Sequence, residues 1–168
     1  RLIMFQGTCI FEDTKFSTNR GFYEEPFELE ITSETEGAKI RYTLDGSPPS
    51  ETSGEIYSSP ITINKTTVVR AIAYKTNFSS TNIDTHTYVF AEDVIKQRTM
   101  SSSITENARY KPLMIDALKG IPTISLSLDN PNRLNNEDEK PLSIEMIFPD
   151  GKKGFQENAG VTHYGGYF

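Results

Sequence analysis

The chain has 168 residues, 17 basic and 23 acidic side chains, and a net charge of −6, a size that suits one domain or one small domain with part of another. Apolar residues make up 36%; exchanging the 8 Tyr for the 11 Gly, to match the usual basis, gives about 38%, below the usual 45–50%, so the core is expected to be thin. The acidic balance argues against a nucleic-acid or anionic-lipid partner, no apolar run approaches the roughly 18 residues of a membrane span, and the single cysteine, Cys9, cannot close an internal disulfide and reads as a small buried hydrophobe.

Residues 1–13 read as a lead-in strand or linker, with no charged-apolar-small leader after Arg1. Phe27, Leu29 and Ile31 alternate with Glu28, Glu30 and Thr32, and Ile40, Tyr42 and Leu44 alternate with Lys39, Arg41 and Thr43. Such alternation places one face inward and one in water. Glu34-Thr35-Glu36-Gly37 between them has the length of a hairpin connection. Asp45-Gly46-Ser47-Pro48-Pro49 forces a turn, because Asp and Gly tolerate left-handed angles and proline cannot donate to a ladder. Further strands are expected at Ile61–Ile63, at Thr67–Tyr74, where Ala71 and Ala73 permit close approach of a facing layer, and at Thr85–Phe90.

Past Phe90 the pattern changes. Ala91–Gln97 suits one helical turn, and Arg98–Thr105 is a Ser/Thr-rich linker. Leu113, Met114, Ala117 and Leu118 have helical spacing, with Pro112 in the first turn and Gly120 as a stop. Strand alternation resumes at Ile124, Leu126 and Leu128, at Leu142, Ile144, Met146 and Phe148, and at Ala159 and Val161. The remaining residues offer too little surface to bury both faces of these strands, and the chain stops at Gly165-Gly166-Tyr167-Phe168 within what reads as a sheet.

The fold expected is mainly β: an immunoglobulin-like antiparallel β-sandwich over 14–90, a linker with a short helix over 91–120, and the first strands of a second, truncated domain over 121–168. A β-barrel is the alternative for the first unit.

Few residues carry recognisable chemistry. His86 and His163 fit no metal-ligand spacing and read as half-buried or surface strand residues. Gly151-Lys152-Lys153-Gly154 follows Asp150 between strands and reads as a hairpin turn, not a phosphate cradle. Glu12-Asp13 and Glu24-Glu25 stand in turns without an apolar setting and read as solvated charge. No catalytic, cofactor-binding or metal residue is assigned. The oxygen-rich run from Asp129 through Asn130, Asn132, Asn135, Asn136, Glu137 and Asp138 to Glu139 lacks helix-loop-helix spacing and reads as a solvated loop, with a calcium ion as the alternative. Asn64-Lys65-Thr66 and Asn77-Phe78-Ser79 fit the glycosylation acceptor pattern, which arises often by chance.

Two stretches go beyond composition. Phe16-Ser17, Gly21-Phe22-Tyr23, Pro26-Phe27, Ile40-Arg41-Tyr42-Thr43, Asp45-Gly46-Ser47-Pro48-Pro49, Tyr57, Pro60-Ile61 and Thr66-Thr67-Val68-Val69-Arg70-Ala71 stand in that order. This combination resembles the chitobiase/β-hexosaminidase C-terminal domain, also called the fibronectin type III-associated domain, over about 14–90. Tyr88-Val89-Phe90, Asp93-Val94-Ile95, Gln97, Ile121-Pro122-Thr123-Ile124-Ser125-Leu126, Pro149-Asp150-Gly151, Gly154-Phe155-Gln156, Ala159-Gly160-Val161, His163 and Gly165-Gly166 follow. They are similar to the segment joining such a domain to the start of a CotH-type, spore-coat-like kinase domain in large bacterial surface and secreted proteins.

The Asn130–Lys140 loop departs from that pattern, being polar and acidic. The CotH family's nucleotide and metal residues would lie past Phe168, so none transfers to this chain. The resemblance implies a non-catalytic spacer or docking module, extracellular or at the cell surface, whose partners are neighbouring domains of the same polypeptide and a surface glycan or protein. The alternatives are the front part of a CotH-type atypical protein kinase and a carbohydrate-binding accessory module. For a glycan, Tyr23, Tyr57 and Tyr74 are the ring platforms available, since the chain has no Trp.

Overall fold

The computed structural model describes residues 12–76, 78–129 and 138–162, together with the backbone of 4–5 and 8–9. Asn77, His163, the 130–137 stretch and the Cys9 side chain lie outside the described residues, and with them the readings made there. The chain runs through β1 (Met4–Phe5), β2 (Thr8–Cys9), β3 (Lys15–Phe16), β4 (Gly21–Phe22), β5 (Phe27–Leu29), β6 (Ile31–Thr32), β7 (Lys39–Thr43), β8 (Glu55–Ile56), β9 (Ile61–Ile63), β10 (Thr67–Tyr74) and β11 (Asp84–Val89). Helical turns α1 (Ala91–Val94), α2 (Ser102–Thr105) and α3 (Met114–Lys119) follow, then β12 (Thr123–Leu128), β13 (Lys140–Ile147) and β14 (Gln156–Val161). The fold is mainly β, with several antiparallel sheets and few helices, consistent with a β-sandwich.

A five-stranded sheet in the order β4-β11-β10-β7-β8 is the centrepiece; β4 joins β11 in parallel and the other pairings are antiparallel. Against one face lie the short pairs β3-β6 and β5-β9. Between these layers sits the core: Leu29, Ile31, Ile61 and Ile63 from the short pairs meet Ile40, Val69, Ala71, Ala73, Tyr88 and Phe90. Ala71 and Ala73 are fully buried, so the absence of bulk brings the layers together, and each buried Leu or Ile contributes about 1.5–3 kcal/mol.

Two expectations from period alone are corrected. The single strand read through Phe27–Thr32 changes partner at Glu30: Leu29 aligns with Ile61 and Ile31 with Phe16. Ser17 fixes the switch, its N–H donating to the Glu30 carbonyl at 2.9 Å and its hydroxyl accepting from the Glu30 N–H at 2.9 Å. Nor is Glu34–Gly37 a hairpin, since β6 pairs with β3 while β7 pairs with β10 and β8. The Ala38 N–H closes a turn on the Thr35 carbonyl at 3.1 Å and Gly37 takes φ 71°, carrying the chain from one layer to the other. Leu29, Ile31 and Ile40 point into the same core from opposite sides, and alternation does not tell that arrangement from pairing.

The Ser/Thr-rich linker holds one more turn than expected, α2. The antiparallel sheet β12-β13-β14 covers the outer face of the five-stranded sheet, and it does so with its polar side. Ser127, Ser143 and Glu145 are at most 6% exposed, whereas Ile124 and Leu126 are 56% and 55% exposed. Alternation alone would send the isoleucine and leucine inward. The outer face of β10 and β11 presents Arg70, Thr85 and Thr87, all buried, and buried polar groups need partners that an apolar layer cannot supply.

Candidate functional site

The seam between the five-stranded sheet and β12-β13-β14 holds most of the buried charge in the described residues. Glu145, on the inward side of β13, accepts from the Thr87 N–H at 3.1 Å and from the Thr87 hydroxyl. Arg20 Nε stands 2.9 Å from the same carboxylate and its Nη2 donates to the Thr85 carbonyl at 3.2 Å. Ser125 Oγ lies 2.8 Å from Thr87 Oγ1. Burial pushes the Glu145 carboxyl above its ordinary range, while the Thr87 donors and Arg20 pull it back. Further along, Arg70 donates to the Gly46 carbonyl at 3.0 Å and pairs with Asp129 at 3.2 Å, and Asn158 Nδ2 donates to the Ile83 carbonyl at 2.9 Å.

This arrangement joins two sheets. Glu145 and Asp129 each face a guanidinium, and among the described residues no group of three or more His, Cys, Asp or Glu is placed to hold a metal. Asp129, the first residue of the oxygen-rich run, turns its carboxylate to Arg70.

Arg20, Arg70, Thr87, Ser125 and Glu145 were not singled out by sequence. Arg70 within Val68-Val69-Arg70-Ala71-Ile72 and Glu145 within Ile144-Glu145-Met146 are isolated charges inside apolar strands. That was the available signal, because an isolated charge on a covered strand needs a partner across the layer.

The three tyrosines read as ring platforms are dispersed. Tyr23 is half-buried among Phe27 (4.6 Å between centroids), Tyr88 (5.7 Å) and Phe90 (6.4 Å), and its hydroxyl donates to the Asn19 carbonyl at 2.6 Å. Tyr57 is half-buried and edge-on to Tyr42 at 6.3 Å. Tyr74 ends β10 with the Arg41 guanidinium 6.0 Å from its ring. No ring pair among the described residues joins any two of the three.

The exposed pairs behave as isolated surface charges: Glu24 bonds Lys119, which draws its carboxyl below the ordinary range, and Asp150 bonds Lys152 across the β13–β14 turn at 2.7 Å. Such contacts contribute little.

His86 lies on the core side of β11. Its ring stacks on Phe16 at 4.2 Å and 9°, and its Nδ1–H donates to the Thr18 carbonyl at 3.2 Å. Burial, with the nearby Arg20, lowers its pKa from 6.5 to about 4, against the pull of the Thr18 carbonyl. The folded chain therefore keeps this ring neutral where the unfolded chain protonates it. Stability from His86 is complete above pH 6.5 and is lost as pH falls towards 4, about 3 kcal/mol at about 1.4 kcal/mol per pH unit. Asp84 and Glu145, raised by burial, act in the opposite sense. Urea unfolding at a series of pH values is expected to show a shallower acid loss in His86→Phe than in the parent; parallel profiles would count against the half-buried neutral ring.

Two recesses open beside these residues. One, about 640 Å³, runs from Tyr42 to Ser47 and along Thr62–Thr67, and its polar groups largely serve one another: Thr43 donates to the Ser47 carbonyl, Ser47 to Asp45, and Tyr42 to Glu55. The second, about 430 Å³, lies at the end of the seam over Arg70.

Comparison with known proteins covers the first unit. No curated protein and no solved structure matches the chain, and no comparison supports a CotH-type domain over 121–168. Residues 18–85, from the loop before β4 to the start of β11, match the family model of the chitobiase/beta-hexosaminidase C-terminal domain.

Proposed function

We propose that this chain is a non-catalytic spacer or docking module of a larger extracellular or surface-attached bacterial protein, its first unit an immunoglobulin-like sandwich over 14–90. The carrying observation is the seam. Arg20, Thr87, Ser125 and Glu145 fasten one sheet across another with buried, directional bonds, which suits fixing the angle of whatever follows. The matched family, a non-catalytic accessory module of glycosidases, supports the same reading.

The outward side of β12-β13-β14 is suited to a further element packed on it. Ile124 and Leu126 stand more than half exposed and Phe155 is 45% exposed, and an apolar strand face of this kind ordinarily packs against another layer. This favours residues 121–168 as the opening strands of a further domain of the same polypeptide, for which the CotH-type kinase is the resemblance in hand. Residual dipolar couplings measured on 14–90 and on 121–162 within the whole chain test the spacer reading. One shared alignment tensor is expected; two independent tensors would mean a loose joint and overturn it.

A further inference from the structure

The recess at the end of the seam mixes several kinds of side chain. It is lined by Arg70, Asn82, Asp129, Glu139, Leu142 and Asn158, so it combines guanidinium, amides, carboxylates and an apolar wall. Arg70 is 3% exposed and spends Nη1 on Gly46 and Asp129, and its Nε has no hydrogen-bond partner among the described residues. Glu139 carries no ion pair or hydrogen bond to another described residue, and Gly160 makes room for its carboxylate: a Cβ at 160 would stand 1.9 Å from Glu139 Oε1. The amides of Asn82 and Asn158 each donate one N–H to a fixed acceptor, Asp84 and the Ile83 carbonyl, which orients them.

We infer that this recess binds a neutral polyhydroxylated molecule, a sugar unit or cyclic polyol. One guanidinium against two carboxylates leaves the walls net negative, which disfavours an anion. A hydroxyl both donates and accepts, so adjacent hydroxyls satisfy carboxylates and amides in the same recess, whereas a purely apolar ligand would leave these groups unpaired. The volume, about 430 Å³, falls in the range of small-ligand pockets, and Leu142 with Ala159 offers a surface for ring C–H groups.

The test is a ¹H–¹⁵N titration of the full chain with D-glucose, D-mannose and myo-inositol up to about 50 mM, which captures millimolar affinity. Saturable shifts are expected at Asn82, Asn158 and Gly160, weakened at least about fivefold in Asn82→Ala and Glu139→Gln, a loss that corresponds to one hydrogen bond. Gly160→Ala, which displaces the Glu139 carboxylate without touching the core, is expected to weaken binding likewise. Arg70→Lys tests the guanidinium directly; where it does not fold, the three surface variants decide. A trimer binding more tightly than its monomer identifies the end of a saccharide chain as the source, and equal affinity a free polyol. No saturable shift, shifts confined to other surfaces, or shifts indifferent to the variants would overturn the site.

Discussion

Glu145→Ala is expected to lower unfolding stability by about 3–5 kcal/mol, the usual consequence of removing one partner from a buried ion pair. The carboxylate is 1% exposed and Arg20 16% exposed, so the guanidinium left behind has little water to turn to. The Thr87 N–H and hydroxyl lose their acceptor as well. The companion Arg20→Met with Glu145→Leu removes both charges and is expected to recover a large part of the loss, since replacing a whole buried pair by apolar groups is often neutral or stabilising. Its recovery is incomplete because Thr87 still lacks its acceptor. Urea denaturation of Arg20→Met, of Glu145→Leu and of the double variant gives the coupling between the residues. A loss below about 1 kcal/mol for Glu145→Ala would place the pair among surface bridges and remove the physical basis for a rigid joint.

The same residue explains how far the sequence could be read. Leu29, Ile31, Ile40, Ile61, Ile63, Val69, Ala71 and Tyr88 all follow period two, and all lie in the core. Burial of one face is a local property that a strand's own residues determine. Partner choice is not. Which strand Ile31 meets depends on Ser17 bonding Glu30, thirteen positions away, and whether β12 turns Ile124 or Ser125 inward depends on Arg70 and Thr87 in a different sheet. The short strands β3, β4 and β8 have two residues each, too few for any period to register. For the seam, Arg70 and Glu145 were visible as isolated charges within apolar strands, but their respective partners, Asp129 and Arg20, required the fold.

Tyr88→Ala is expected to cost about 3–5 kcal/mol, the range for removing a large aromatic side chain from a packed interior. Its side chain is 0% exposed and touches both layers at once: Phe27 at 5.1 Å and Tyr23 at 5.7 Å, both edge-on, with His86 at 6.2 Å. Its hydroxyl donates to the Thr18 carbonyl at 2.9 Å, the carbonyl that also receives the His86 Nδ1–H, so one backbone oxygen ties two β11 side chains to the β3–β4 loop. Burial raises the phenol well above its ordinary range, which favours the protonated, donating hydroxyl. Tyr88→Phe keeps the ring and deletes only this bond, so its expected cost is about 1 kcal/mol. The ratio of the two losses separates packing from hydrogen bonding. Equal losses would mean that the hydroxyl, not the ring, holds the layers together, and a loss below about 2 kcal/mol for Tyr88→Ala would show that the core closes over the vacated space.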